Sequence, residues 1–150
     1  MKWRLTDALQ RAGIAPMRIG PVHDPEGDAA QTLTLFAPSG PFAKELIARL
    51  RAKNVIAGGI YDQTVRDWHV YPYWEYVLER KTPTPAGHPY SAYAGKLPDY
   101  SPTMCPRTLE ILERTVYVGV IPGLTAEEAQ AIAAEVGGTV RDLVREGVLL

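Results

Sequence analysis

CPRTLEILERTVYVGVIPGLTAEEAQAIAAEV, residues 105–136, changes its apolar period twice. Pro106 opens a helix, because a missing N–H costs nothing in a first turn. Leu109, Ile111 and Leu112 supply its apolar positions. Thr115–Ile121 (TVYVGVI) then reads as a strand, rich in β-branched and aromatic residues. Pro122 and Gly123 turn it. Thr125 and Glu128 form a capping box for the next helix. Ala129, Ile132, Ala133 and Val136 recur at helical spacing and give that helix its inner face. Helix, strand and helix in one short segment call for an α and a β layer around a shared core.

The flanks repeat the theme. On the C-terminal side, Gly137 and Gly138 predict a break, followed by a last helix over 139–147 with Val140, Leu143 and Val144 inward. At the N-terminal end, Leu5, Ala8, Leu9 and Ala12 predict a helix over 2–12 that Gly13 stops. A polar link, Pro16–Gln31, leads to a strand at Thr32–Ala37. Ser39 caps the following helix, with Pro41 in its first turn and Phe42, Leu46, Ile47 and Leu50 along its apolar stripe. Asn54 ends it, and Val55–Tyr61 reads as a strand weakened by Gly58 and Gly59. Residues 62–104 differ in texture: DWHVYPYWEYVLERK, with a short helix expected over 73–80, precedes a Pro-, Gly- and Tyr-rich stretch. That stretch has no strong period and reads as a long ordered loop, since its rings favour order over a linker. The expected fold is α+β, a small three-stranded sheet with helices packed on one face.

Composition narrows the function. The chain has 150 residues, with 16 Lys and Arg against 17 Asp and Glu. That balance argues against a nucleic-acid partner, which calls for a basic surplus. No apolar run approaches the ~18 residues of a membrane span, and MKWRLTDALQRAG has no apolar signal core. The one cysteine, Cys105, excludes an internal disulfide framework. A cytoplasmic protein without a membrane partner fits these features.

The usual catalytic signatures are missing. His23, His69, His88 and Cys105 stand at no metal-ligand spacing, so no metal is expected. There is no GxSxG elbow and no GxGxxG or GxxxxGK[ST] phosphate loop. Cys105 precedes Pro106 at a helix start, which reads as a capping or buried residue. Glu127 and Glu128 are explained by the helix dipole and the cap. None of Lys2, Lys44, Lys53, Lys81 and Lys96 has the apolar surroundings of a Schiff-base amine. What remains is the dense set Trp68, His69, Tyr71, Tyr73, Trp74 and Tyr76. Such rings line a pocket or fill a core or interface.

Two segments resemble the small C-terminal domain of DegT-type (DegT/DnrJ/StrS) sugar aminotransferases, PLP-dependent enzymes of fold type I. WHVYPYWEYVLERK, Trp68–Lys81, is similar to the WHVYPxWE stretch of a branch acting on octulosonate-type and related sugars. CPRTLEILERTVYVGVIPGLTAEEAQAIAAEV is similar to the family's closing Pro-helix-strand-Pro-x-Leu-Thr-x-Glu-helix pattern. The strand, helix and strand between Phe36 and Gly59 match in order, so the likeness spans roughly residues 15–136. It implies that residues 1–14 resemble the end of an interdomain helix. It also implies that 15–150 form the small domain, with a substrate-side loop at 82–104.

The resemblance further implies that Tyr61, Trp68, His69 and Tyr71 face a keto-sugar substrate. His69 would donate hydrogen bonds to sugar hydroxyls or a carboxylate, and Arg66 and Arg107 would meet an acidic group. The family's PLP-binding large domain, with its lysine, has no counterpart here. This chain would therefore bind no cofactor alone and contribute no catalytic residue. PLP would come with a large-domain chain that this one completes for amino transfer from an amino acid to a keto-sugar. Lacking that domain, the chain would expose an apolar face and associate with such a partner or with itself. Two other readings share these residues: a stand-alone, non-catalytic sugar- or protein-binding module, and a remnant or truncation of a longer aminotransferase.

Overall fold

Leu33 and Leu35 are buried while Thr32, Thr34 and Phe36, which alternate with them, are less so, and Val116 and Val118 flank a half-exposed Tyr117 in the same way. A period of two with one buried face is a strand covered on one side. In a computed structural model of the chain, which describes residues 2–62, 65–93 and 95–148, these runs form β2 (Thr32–Phe36) and β4 (Thr115–Gly119). They pair antiparallel, with Leu33 opposite Val118 and Leu35 opposite Val116. β3 (Ala57–Gly59) pairs antiparallel with the other edge of β4, and β1 (Arg18–Ile19) with the outer edge of β2. The sheet order is β1-β2-β4-β3.

The α+β class and the one-sided sheet hold, but the sheet has four strands rather than three. The extra strand lies within the expected polar link. It has only two residues, and its place comes from pairing Arg18 with Phe36 and Ile19 with Leu35. β3 is shorter than the expected Val55–Tyr61, because it pairs only with Val116–Val118 of β4. Its glycine answers a close approach: a Cβ on Gly58 would lie 2.2 Å from the Tyr117 ring.

The chain divides into two compact units, one made of residues 1–60 and 110–150 and the other of 61–109. In the first, α1 (Lys2–Ala12), α2 (Gly40–Ala52) and α5 (Ala126–Arg145) bury Leu5, Leu9, Phe42, Leu46, Leu50, Val136, Val140 and Leu143 against the sheet. Ser39 caps α2, its hydroxyl accepting from the Phe42 N–H at 3.3 Å. Asn54 ends α2 in the left-handed region (φ 60°). The bonds Asn54 N–H to Arg51 and Val55 N–H to Leu50 close a Schellman motif. Gly147 (φ 70°) repeats it after α5, with bonds to Val144 and from Val148 to Leu143.

α5 does not break at Gly137–Gly138; it runs unbroken from Ala126 to Arg145. Packing overrides the glycine penalty. α1 lies alongside it, with Arg4 donating to the Leu124 carbonyl near one end and Arg141 to the Ala12 carbonyl near the other, both at 2.9 Å. A Cβ at Gly137 would sit 3.3 Å from the Ala12 Cβ, so the glycine lies where α1 approaches α5 closely. The capping box forms as expected: Glu128 N–H donates to Thr125 Oγ1 at 3.1 Å, and Thr125 N–H to Glu128 Oε2 at 2.8 Å. Arg49 ties α2 to the end of α5, gripping both Glu146 oxygens at 3.0 and 2.7 Å.

α4 (Pro106–Glu113) spans the sequence boundary between the units. The second unit otherwise holds a 3-10 turn at Tyr71–Tyr73, the short α3 (Glu75–Leu78), and a 3-10 turn at Tyr90–Tyr93. The expected 73–80 helix is therefore two shorter pieces, since Pro72 tightens its start and Trp74 leaves the helical region at ψ 74°. The stretch at 82–104, apart from residue 94, is turns and that 3-10 piece. No helix among the described residues is long and apolar enough to cross a membrane.

Candidate functional site

The second unit brings most of the sequence candidates onto one short, hydrogen-bonded segment. Asp67 starts it: the Val70 N–H returns to the Asp67 carbonyl at 3.1 Å, and the Tyr73 N–H to the Val70 carbonyl at 3.1 Å. The Trp74 indole N–H donates to the Trp68 carbonyl at 2.8 Å and closes the turn. Val70 is buried, while Trp68 and His69 before it are exposed.

Arg66 lies over the Trp68 ring, 4.2 Å from its centroid, and pairs with Glu75. A guanidinium on an indole face is a favourable cation–π pair, and Glu75 keeps the Arg fork from swinging away. The Arg66 hydrogen bond holds the Glu75 carboxyl below its usual range, with Lys81 adding a smaller pull. His69 is held by Asp67, whose Oδ1 accepts the His69 backbone N–H at 2.9 Å and lies 2.8 Å from Nδ1. The backbone bond first, and then the ring, depress the Asp67 carboxyl.

Tyr61 and Tyr71 are half-buried. The Tyr61 ring stands 6.4 Å from that of Tyr73, tilted by 45°. Tyr73 donates its hydroxyl to the Asp62 carbonyl at 3.3 Å, which draws 61–62 toward the turn. The Tyr71 hydroxyl accepts the Cys105 N–H at 2.9 Å. That bond sets Arg107, exposed in the first turn of α4, two residues from the Tyr71 contact. Arg66, Trp68, His69 and Tyr71 are thus assembled by the turn itself. Tyr61 and Arg107 join through one intermediary each.

Cys105 takes the capping place read from the sequence, its carbonyl accepting from Thr108 and Leu109, but it is exposed rather than buried. Sequence reasoning misses Asp67 and Glu75. Asp two residues before His69 is an Asx-turn signal that could find the first. Glu75 carries no local signal for its partner.

The lysines do not suit PLP. Lys2 pairs with Asp28 at 2.7 Å, Lys53 with Glu135 at 3.0 Å and Lys81 with Glu79 at 2.8 Å, while Lys44 and Lys96 are exposed. A depression of about 260 Å³ beside Lys2, His23, Asp24 and Asp28 has its amine already held by Asp28. A Schiff-base amine has to be desolvated and unpaired. None of these five amines meets both needs, so they do not fit the cofactor. Compared with models of known protein families, the sequence matches none.

Proposed function

We propose that this chain is the small, substrate-side domain of a DegT-type sugar aminotransferase, working with a PLP-binding large domain carried by a partner chain. The observation that carries this reading is the Asp67–Trp74 turn. Its backbone is closed by hydrogen bonds, yet Trp68 is 54% exposed and the His69 side chain 92% exposed. Rigidly held aromatic and imidazole groups facing solvent suit a surface that completes a site on another body. The arrangement sits within the WHVYPYWE stretch that carries the family resemblance.

The residue types suit a sugar. An indole face stacks on an apolar sugar face, and imidazole, phenol and guanidinium groups hydrogen-bond to hydroxyls and acidic groups. Trp68, His69, Tyr61 and Tyr71 would orient the keto-sugar, and Arg66 and Arg107 its acidic group. PLP supplies the electron sink for amino transfer, and the large domain would hold it. Exposed Trp3, Ile56 and Ile121 on the first unit support association with such a partner or with itself.

The test is reconstitution. The tagged chain is co-expressed with the adjacent open reading frame, which this reading expects to encode a PLP-binding domain. A yellow complex of the two chains is expected. Recovery of this chain alone, as a monomer by light scattering at high concentration, contradicts the reading.

A further inference from the structure

We propose that Asp67 is a positioning residue that makes His69 offer a hydrogen-bond acceptor, not a donor, to whatever docks on the turn. One carboxylate oxygen makes both contacts: it takes the His69 backbone N–H at 2.9 Å and faces Nδ1 at 2.8 Å. The backbone bond anchors the carboxylate, so the ring answers to Asp67 and not the reverse. A carboxylate can only accept. The proton of a neutral His69 therefore sits on Nδ1, and the lone pair is left on Nε2. The side chain is 92% exposed, so Nε2 is open to a ligand.

This changes the chemistry expected of the residue. A neutral imidazole of this tautomer pairs with an O–H or N–H donor and repels a carboxylate. Its ligand group is then a hydroxyl, and acidic groups fall to the arginines. That assignment of the ligand rests on the sugar-binding role proposed above; the tautomer itself does not.

Long-range ¹⁵N–¹H correlation spectra of the whole chain at about pH 8, where imidazole is neutral, read the tautomer directly. Wild-type His69 is expected as the Nδ1–H form. Asp67→Ala should move it largely to Nε2–H, the ordinary preference of a free imidazole. Asp67→Asn keeps a carbonyl acceptor and should retain Nδ1–H. His23 and His88 act as references that stay unchanged, which separates this effect from general unfolding. Wild-type His69 in the Nε2–H form, or an Asp67→Ala spectrum identical to wild type, overturns the proposal. Because no ligand is added, an intact tautomer beside a failed reconstitution would count against the aminotransferase reading and leave this one standing.

Discussion

Tyr71 shows how one hydroxyl can organise a site. Its oxygen accepts the Cys105 N–H, which starts α4 and so fixes where Arg107 begins. Tyr71→Phe leaves that N–H without its acceptor, at a cost of about 0.5–1.5 kcal/mol. Hydrogen exchange at the Cys105 amide should then speed up by about 2- to 10-fold, while amides of β2 and β4 keep their protection. An unchanged Cys105 rate would mean that the bond does not hold this junction. The aromatic residues are legible as a cluster because their density stands out in the sequence. Their roles are not, because the side-chain partners are acidic residues whose pairing with a ring or a guanidinium no spacing announces, even where an Asx-turn signal marks Asp67. Asp67 fixes His69, and Glu75 fixes Arg66. Those pairings depend on a turn whose closure, from the Trp74 indole to the Trp68 carbonyl, leaves no periodic trace.

At the scale of elements, local signals work where the physics is local. Ser39, Asn54 and the Thr125–Glu128 box each mark a helix end that the structure honours, because a cap is settled by its immediate neighbours. β1 escapes because two residues hold no pattern and only Phe36 and Leu35 opposite them make a strand. Gly137–Gly138 misleads for the opposite reason: a strong local breaker is overruled by α1 packing along α5. The two glycines differ in what surrounds them. A Cβ added at Gly138 would meet nothing within 4 Å, whereas one at Gly137 would lie 3.3 Å from the Ala12 Cβ. Gly138→Ala should therefore stabilise the protein by about 0.5–1 kcal/mol, the helix-propensity difference. Gly137→Ala should gain less or lose, because Ala12 must yield. Urea unfolding midpoints of the two variants check this ordering, and an equal gain from both would contradict the close approach of α1.

For the whole molecule, charge pairs recur in both units: Arg49 with Glu146 in the first, Arg66 with Glu75 in the second. The Arg49 bonds hold the Glu146 carboxyl below its ordinary 4.5, as the Lys2 bond does for Asp28 from 3.8. A carboxylate depressed in the folded state stabilises fully above its unfolded value, and that contribution is lost as pH falls through the folded value. Melting temperature should thus be flat from about pH 7 to 6 and decline below about pH 4.5. Glu146→Gln should melt lower than wild type at neutral pH and match it in acid. A constant difference across the range would remove Glu146 ionisation from the account. At this scale stands the proposed pairing of this chain with a PLP-binding partner. It is tested most directly by amino transfer to a keto-sugar in the presence of the PLP-binding chain, with and without this one. Turnover is expected only when both chains are present, with a loss of at least about 10-fold when Trp68 and His69 are both replaced by Ala, the size of one or two lost substrate contacts. Equal turnover by the PLP-binding chain alone would contradict it.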